Sequence, residues 1–467
     1  MLNALSHELT AAGIRVVGVN FDDDPRAKTL EIAAKLGIEF PTLTSDEQAE
    51  LALRAPDVMP TTYLISPERE IKATFIGLQS REQIVGKLSQ MGLLPRVTQL
   101  ASPASQNSSL SRLTRDENDK LYLSWVTEHD GGAQLAHAGL AGEAWTEPEV
   151  IAEGRDWFLN WADFPMLSVH AGDKVAHWLR RSASGTYDYD IMAKFYDARS
   201  RAWGEAIKIN DDGVDAEHGF VSMTSVGERR SLLTWLDGRN TKAVPQAGPM
   251  TLRAALFDAL GERLQEWELD SRVCDCCQTS SALSSRGPVV VYRDRSEDEI
   301  RDTSIVRLEH GEWSAPQTIH SDNWRVLGCP VNGPSVSALG EQLAVAWFTA
   351  NEEIPRVKLA LSDDGGRRFA APTEVASVNT NGRIDTAILD GGEVVVSWLA
   401  TEGKQAHIML SRFTAQGTQL DVTTVADTSA SRQSGFPVIE SVGESVYVTW
   451  TDVSSTSQVR VARVDYP

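Results

Sequence analysis

The chain repeats one short apolar segment that ends in an aromatic residue: LYLSW (121–125), VAHW (175–178), LLTW (232–235), VVVY (289–292), AVAW (344–347), VVSW (395–398) and VYVTW (446–450). The aromatic residues are Trp125, Trp178, Trp235, Tyr292, Trp347, Trp398 and Trp450, at successive spacings of 53, 57, 57, 55, 51 and 52 residues. A period in this range is typical of proteins built from repeated structural units.

Each repeat contains more than the aromatic segment. Another short apolar segment precedes the aromatic by about ten residues, and a third follows it, as in IMAKFYD (191–197). A fourth often carries an aromatic before a proline, as in AWTEP (144–148) and EWSAP (312–316). Four short strands in each repeat are the composition of a propeller blade. We therefore predict a seven-bladed β-propeller over residues 96–467, with the seven aromatic residues on the second strand of each blade.

Closure of the propeller is also predicted from the two ends of this region. The last repeat stops after its third strand at VARVDYP (461–467), while an extra strand, RVTQLAS (96–102), precedes the first repeat. The early strand can complete the last blade, and such pairing leaves no open sheet edge.

Residues 1–92 have a different pattern, which we interpret as α-β-α-β-β-α. A β-branched strand IRVVGVNFD (14–22) follows the first helix, and a further helix is expected near residues 46–53. This order, with VMPT (58–61) directly before the strand TTYLI, resembles the thioredoxin superfamily, especially its TlpA-like and redoxin branch. The resemblance implies a cis peptide bond before Pro60.

The thioredoxin-like segment is incomplete compared with the family. The first strand and the Cys-x-x-Cys motif are missing, and no cysteine occurs before Cys274. If Met1 is native, the domain cannot exchange dithiols and is a structural or docking element. If the chain begins downstream of its true start, the protein is expected to be a periplasmic or extracellular oxidoreductase; otherwise it is cytoplasmic.

Composition and charge exclude some partners. The formal net charge is -21, from 44 Lys and Arg against 65 Asp and Glu, and such a field repels phosphate backbones. No run of eighteen apolar residues occurs. Neither nucleic acid nor a membrane span is expected.

The segment SDDGGRRF (362–369) matches the Asp-box pattern S-x-D-x-G-x-x-W/F. This resembles propellers of the sialidase superfamily, where the Asp box closes a tight hairpin and reports fold instead of catalysis. Activity in that family requires three arginines that clamp a carboxylate, and Arg383 is the one arginine here that stands at an equivalent strand start. The sequence departs further from the family, which has six blades, so a working sialidase is not expected.

Loops that lead into the innermost strands of a propeller converge at one end of the channel. In this chain those positions are strongly polar, and the predicted channel-mouth residues are Asp163, His218, Asn332, Arg383 and Asp385.

All four cysteines, Cys274, Cys276, Cys277 and Cys329, fall in the equivalent loops of two adjacent blades. Three interpretations remain open: a disulfide between Cys329 and one of the others, a site for copper(I) or zinc with His218 as a further ligand, and a redox-active thiol pair. The dense charge run from Tyr292 to Asp302 follows the second strand of the cysteine blade. We interpret it as a solvated hairpin. A role in lining the same cleft is kept as an alternative.

The leading functional hypothesis is an extracytoplasmic fusion of a redoxin-like domain with a propeller that carries thiol-based redox chemistry or a soft metal at its channel mouth. The alternatives are a non-catalytic propeller that binds a glycan or a protein, and a sialidase-like glycoside hydrolase. The sequence leaves the substrate, the metal and any enzymatic activity undetermined.

Overall fold

The structure is a computed structural model that describes residues 1–20, 22, 24–43 and 56–467. The chain divides into two units, one formed mainly by residues 1–96 and the other mainly by residues 97–465. No helix of the described residues is long and apolar enough to cross a membrane.

The described residues of the first unit form three helices and two small sheets. Its elements are α1 (Leu2–Ala11), β1 (Gly18–Val19), α2 (Arg26–Lys35), β2 (Thr42–Leu43), β3 (Thr61–Ile65), β4 (Ile71–Ile76) and α3 (Arg81–Gln90). Strands β1 and β2 are parallel, and β3 and β4 form an antiparallel hairpin. The helix expected near residues 46–53 lies outside the described residues.

A small apolar core holds α1 and α3 together in this unit. Leu5, Leu9, Ile84 and Leu88 are buried in it. Ser80 caps α3 in a reciprocal capping box with Gln83, which satisfies two backbone amides at the start of the helix. The strand expected over residues 14–22 is shorter than predicted, and the Met59–Pro60 peptide bond is cis.

The second unit is a seven-bladed β-propeller, as predicted. Its strands, in chain order, are β5 (Arg96–Leu100), β6 (Ser108–Arg115), β7 (Leu121–His129), β8 (Gly132–Ala141), β9 (Ala144–Trp145), β10 (Glu149–Gly154), β11 (Met166–His170), β12 (Asp173–Arg181), β13 (Tyr189–Asp197), β14 (Ala202–Trp203), β15 (Ile207–Lys208), β16 (His218–Ser225), β17 (Arg230–Asp237), β18 (Thr251–Asp258), β19 (Arg263–Asp270), β20 (Ser280–Ser284), β21 (Gly287–Arg293), β22 (Thr303–Glu309), β23 (Glu312–Trp313), β24 (Gln317–Thr318), β25 (Ser335–Leu339), β26 (Gln342–Thr349), β27 (Arg356–Ser362), β28 (Thr373–Ser377), β29 (Asp385–Ile388), β30 (Val394–Glu402), β31 (Gln405–Phe413), β32 (Gln419–Ser429), β33 (Val438–Val442), β34 (Ser445–Asp452) and β35 (Gln458–Asp465). Three short 3₁₀ helices, Arg239–Lys242, Asn351–Glu353 and Arg432–Ser434, lie in the loops.

Each blade is a four- or five-stranded sheet, and in blades one to six the innermost strand comes first in the chain. The innermost strands of blades one to seven are β6, β11, β16, β20, β25, β29 and β33. The predicted aromatic register is confirmed, because all seven residues lie on the second strands β7, β12, β17, β21, β26, β30 and β34.

The ring closes as predicted. In the seventh blade the order is β33-β34-β35-β5, so that the strand preceding the first blade forms the outer edge of the last one. This pairing joins residues more than 350 positions apart in sequence and leaves no blade incomplete.

The core lies in layers between neighbouring blades. Trp347, 1% exposed on β26, packs against Val289 and Val291 of the preceding blade. Trp235, which is fully buried, packs in the same way against residues of blade two. The recurrent aromatic residues therefore fill the wedge between adjacent sheets.

The Asp box forms the hairpin expected of it, between β27 and β28. The Gly366 amide donates to Ser362 Oγ at 3.0 Å, and the Arg368 amide donates to Asp364 Oδ1 at 2.9 Å. Gly366 has φ +82°, in the left-handed region, and Phe369 packs against the core beneath. The motif is therefore structural in this chain.

Candidate functional site at the channel mouth

Three of the predicted channel-mouth residues join neighbouring blades. Asp163 Oδ1 accepts a hydrogen bond from the Phe220 amide at 2.7 Å, and Asn332 Oδ1 accepts one from the Arg383 amide at 2.8 Å. Asp385 Oδ2 accepts one from the Ile439 amide at 3.0 Å. In each case the side chain lies at or just before the start of one innermost strand, and it accepts from a backbone amide of the next blade. These side chains therefore satisfy buried amides around the channel.

Arg383 joins blade six to blade seven in a similar way. Its guanidinium donates to Ser431 O, Ser434 Oγ and Gly435 O, each at 2.9 Å, and lies 4.9 Å from the centre of the Trp161 ring. Burial lowers its pKa to about 10. Protein acceptors therefore occupy Nη1 of Arg383, which ties blade six to blade seven, and its role in a carboxylate clamp stays a prediction.

His218 does not face the cysteines, which corrects the prediction that it is a further ligand of a thiol metal site. Its Nδ1 lies 3.2 Å from Ala216 O, and its Nε2 lies 2.9 Å from Asp212 Oδ2. Asp237 is also close, and Arg239 pairs with both carboxylates. Burial opposes the charged imidazolium, but these carboxylates outweigh it and raise the pKa of His218. The ring belongs to a buried ion-pair network.

The four cysteines do come together. The turn that leads into β20 places the sulfur atoms of Cys274, Cys276 and Cys277 within 4.8 Å of one another. Cys329, from the loop before β25, lies close enough to Cys276 for the two thiols to shift each other's pKa in opposite directions. The predicted proximity of Cys329 to this turn is therefore confirmed. We refer to these four residues as the thiol cluster.

The thiols in the cluster are free. Cys274 Sγ and Cys277 Sγ are 3.5 Å apart, too far for a covalent bond, and all four cysteines are reduced in the structure. Cys274 and Cys277 are buried, Cys276 is half-buried, and Cys329 is exposed. The structure therefore contains none of the disulfides considered from the sequence.

The charge run after β21 lines the cluster and is not a freely solvated hairpin. Arg301, 2% exposed, donates from Nη1 to Cys274 Sγ at 3.2 Å and from Nη2 to Glu299 at 2.9 Å. Arg295 bridges Asp275, inside the cysteine turn, and Glu299. The run therefore surrounds the cysteine turn with two guanidinium groups.

The electrostatics of the cluster favour one thiolate shared among several thiols. Hydrogen bonds from Cys276 and Cys277, together with the charge of Arg301, hold the pKa of Cys274 well below its usual range. The hydrogen bond with Cys274 raises the pKa of Cys276, and burial raises that of Cys277. Negative charge is thus concentrated on the sulfur atom that Arg301 contacts.

A second polar group in the channel was not anticipated from the sequence. The Tyr189 hydroxyl lies 2.9 Å from Asp163 Oδ2 and 3.0 Å from Glu217 Oε1. Burial raises the pKa of Asp163 to about 7 and that of Glu217 to about 8. Glu217 precedes His218 in a strand-leading loop, so the blade register could have identified it, whereas nothing in the sequence marks Tyr189.

The channel itself is narrow at this level. Gln278, next to the cysteine turn, donates to Ala162 O at 2.6 Å and accepts from the Gly333 amide at 2.9 Å. The cavity that remains measures about 40 Å³ and is lined by Arg112, Asp163, Asp385 and Phe436, among others. It has room for water molecules.

The chain is similar, at low sequence identity, to several solved structures. No protein-family profile matches the chain, and no curated protein matches its sequence. A protein of unknown function from Dyadobacter fermentans matches with a TM-score of 0.45 and 11% identity over 80% of this chain and 98% of its own. A mutant of NanB sialidase from Streptococcus pneumoniae matches with a TM-score of 0.42 and 8% identity, over 80% and 94% of the two chains. Penicillium chrysogenum alpha-L-arabinanase complexed with arabinobiose has a TM-score of 0.43 and 11% identity, with coverage of 79% and 98%.

Proposed function

We propose that the propeller binds a soft metal ion, copper(I) or zinc, in the thiol cluster at its channel mouth. The observation that carries this proposal is the convergence of all four cysteines of the chain from the loops of two adjacent blades. Thiolate ligands select copper(I) and zinc over magnesium or calcium.

The spacing of the sulfur atoms suits such an ion. Zinc–sulfur bonds of about 2.3 Å place tetrahedral ligands about 3.8 Å apart, and trigonal copper(I) requires a similar separation. This value lies between two distances in the structure. Cys274 Sγ and Cys277 Sγ are 3.5 Å apart, and all three sulfur atoms of the turn lie within 4.8 Å of one another. Small side-chain rotations are therefore sufficient to bring the sulfurs around one ion.

The surroundings of the cluster also suit several thiolates. Three or four thiolates around copper(I) or zinc leave a net negative charge, which is costly to bury without a counter-charge. Arg301 supplies that counter-charge through its contact with Cys274, and Glu299 orients the guanidinium. This is the arrangement expected of groups that hold metal ligands in place.

Metal analysis tests the proposal directly. Protein purified under reducing, anaerobic conditions should bind one equivalent of copper(I) or zinc per chain, and Cys274→Ser should abolish binding. Arg301→Gln should weaken binding by about 10- to 100-fold, as removal of an outer-shell partner does. The matched control is Arg286→Gln, which removes only a surface ion pair with Glu341. Equal metal contents in the wild type and Cys274→Ser would refute the site.

A redox role of the same thiols has a separate signature. If the cluster exchanges electrons and not metal, oxidised glutathione should convert Cys274 and Cys277, the pair 3.5 Å apart, to a disulfide. Mass spectrometry of the oxidised, metal-free protein then identifies that bond. Copper(I) or zinc bound beforehand should block the oxidation.

We also propose that residues 1–92 form a thioredoxin-like domain in an extracytoplasmic fusion protein. The order of its described elements supports this: a helix, two parallel strands connected through a second helix, an antiparallel hairpin and a final helix. An experimental structure of the full chain tests it, since strand connections that cannot be superposed on a thioredoxin sheet would exclude the assignment.

A glycan-binding propeller is the second candidate, and one observation favours it. Trp161, half-buried at the channel mouth, stacks on Phe436 at 5.7 Å, and the exposed Arg432 lies 5.8 Å from its ring. An aromatic ring can stack against a sugar ring, and a neighbouring cation can bind the acidic group of the sugar. Titration of acidic oligosaccharides against the wild type and Trp161→Ala tests binding, and a fluorogenic sialoside tests hydrolysis.

A further inference from the structure

We infer that Cys329 is the thiol through which copper(I) enters and leaves the thiol cluster, so that the propeller transfers copper(I) by ligand exchange with an external thiol donor. This inference rests on the proposed metal site and adds a direction of transfer and a class of partner, a copper(I)–thiolate complex.

Exposure separates Cys329 from the other cysteines. Cys274 is 0% and Cys277 is 1% exposed, so no donor larger than water reaches their sulfur atoms directly. Cys329 is exposed, and Leu327, two residues before it, is 81% exposed. A bulky copper(I) complex therefore meets Cys329 first.

The loop that carries Cys329 is anchored on both sides. Before it, the Trp324 amide donates to Asp302 Oδ1 at 3.1 Å and the Val326 amide donates to Glu299 O at 3.1 Å. After it, Asn332 O accepts from Arg293 Nη2 at 2.8 Å. These anchors hold the exposed thiol on the side of the loop that faces Cys276 instead of leaving it at the tip of a free loop.

Contacts between the thiols define a relay. The sulfur of Cys276 lies within 4.8 Å of those of Cys274 and Cys277. On its other side, Cys276 is the thiol that interacts with Cys329. Copper(I) forms a bond to Cys329 as one bond to the donor thiolate breaks, and the Cys329 proton leaves to solvent. The same ligand exchange at Cys276 then moves the ion inward, and the last bond between copper and the donor breaks. The copper stays in the +1 state, and no electron is transferred.

The two metals make different use of Cys329. Copper(I) is satisfied by two or three thiolates, which Cys274, Cys276 and Cys277 supply. Structural zinc requires four protein ligands, and the fourth thiolate here is Cys329. Loss of Cys329 should therefore slow copper(I) transfer without removing copper(I), but it should weaken zinc binding at equilibrium.

The test uses the full chain, kept anaerobic and reduced, with copper(I)–glutathione as donor. Cys329→Ser should retain one copper(I) per chain in competition with bathocuproine disulfonate, while its uptake rate falls by about tenfold or more, because the exposed attacking thiol is lost. Cys277→Ser is the matched control, with lower copper(I) affinity but nearly unchanged initial capture. An unchanged uptake rate in Cys329→Ser, or loss of its bound copper(I), would overturn the inference.

A second measurement needs no variant. In copper(I)-loaded wild type, N-ethylmaleimide should label Cys329, as identified by peptide mass spectrometry, while the other three cysteines stay protected. Equal protection of all four would show that Cys329 is a permanent ligand and would also overturn the inference. Wild-type protein that takes up no copper(I) would instead overturn the proposed copper(I) site, and this inference with it.

Discussion

Replacement of Asp163 by asparagine should remove a pH-dependent loss of propeller stability. The Tyr189 hydroxyl has one hydrogen, yet it lies within hydrogen-bond distance of both Asp163 and Glu217. One carboxyl must therefore supply a second hydrogen, and the pair retains one proton in the folded protein. Burial of Asp163, which is 1% exposed, raises its pKa from 3.8 to about 7.

The sign and size of the effect follow from this difference. Below pH 3.8 both the folded and the unfolded states are protonated at this site. As the pH rises further, the unfolded chain releases the proton and the folded protein keeps it, so stability falls until about pH 7. The folded and unfolded pKa values differ by about 3 units, and each unit changes the free energy of unfolding by about 1.4 kcal/mol. The free energy of unfolding therefore falls by up to about 4 kcal/mol over this range.

Asparagine resembles the protonated carboxyl and cannot ionise. Its Oδ1 can still accept from the Phe220 amide, and its Nδ2 can donate to the Tyr189 oxygen. Relative to the wild type, Asp163→Asn should therefore gain stability by up to about 4 kcal/mol between pH 4 and pH 8.

Urea denaturation followed by tryptophan fluorescence measures this change. All 13 tryptophans lie between Trp125 and Trp450, so the signal reports the propeller. Asp197→Asn is a control of opposite sign, because hydrogen bonds from Arg229 and Ser200 lower the pKa of Asp197. Relative to the wild type, that variant should lose stability as the pH rises toward about 4, and its deficit should stay constant above that pH. A difference between Asp163→Asn and wild type that stays constant from pH 4 to pH 8 would refute the shared proton.

Two further predictions concern the fold. Gly366→Ala should lower the free energy of unfolding by about 1–3 kcal/mol more than Gly340→Ala does, as measured by chemical denaturation. Both glycines have positive φ, but only at position 366 does the new Cβ meet side chains, 2.7 Å from Leu343 Cδ1. Equal losses would show that the Asp-box turn relaxes freely. Deletion of residues 1–95, which keeps β5, should leave the propeller folded, whereas deletion of residues 1–101 should lower its melting temperature and promote self-association through the open edge of β35. Thermal unfolding and size-exclusion chromatography measure both effects, and identical behaviour of the two deletions would contradict the closure mechanism.

Arginine in this propeller serves two purposes that sequence alone does not separate. Arg383 donates to the next blade and stabilises the ring. Arg301 lies in a run of charges that resembles a solvated hairpin, yet its guanidinium is buried against Cys274. Both residues are nearly inaccessible, so the distinction depends on which acceptor each one meets.

The sequence by itself determined the number of blades, their strand order and the closure by residues 96–100. These features depend on the local alternation and spacing of apolar residues, and the recurrent aromatic from Trp125 to Trp450 marks one strand in every repeat. Blade register was also enough to bring Cys329 close to Cys276, because equivalent loops of adjacent blades share one rim of the channel.

Only the tertiary structure decided which way the polar side chains point. His218 and Cys274 occupy similar positions in neighbouring blades, yet the His218 ring turns toward Asp212 and away from the thiols. Tyr189 meets Asp163 and Glu217 across two blades, and Arg301 reaches Cys274 over 27 residues. Such contacts depend on rotamers and on packing between distant segments, and a pattern of residue types along the chain does not specify either of them.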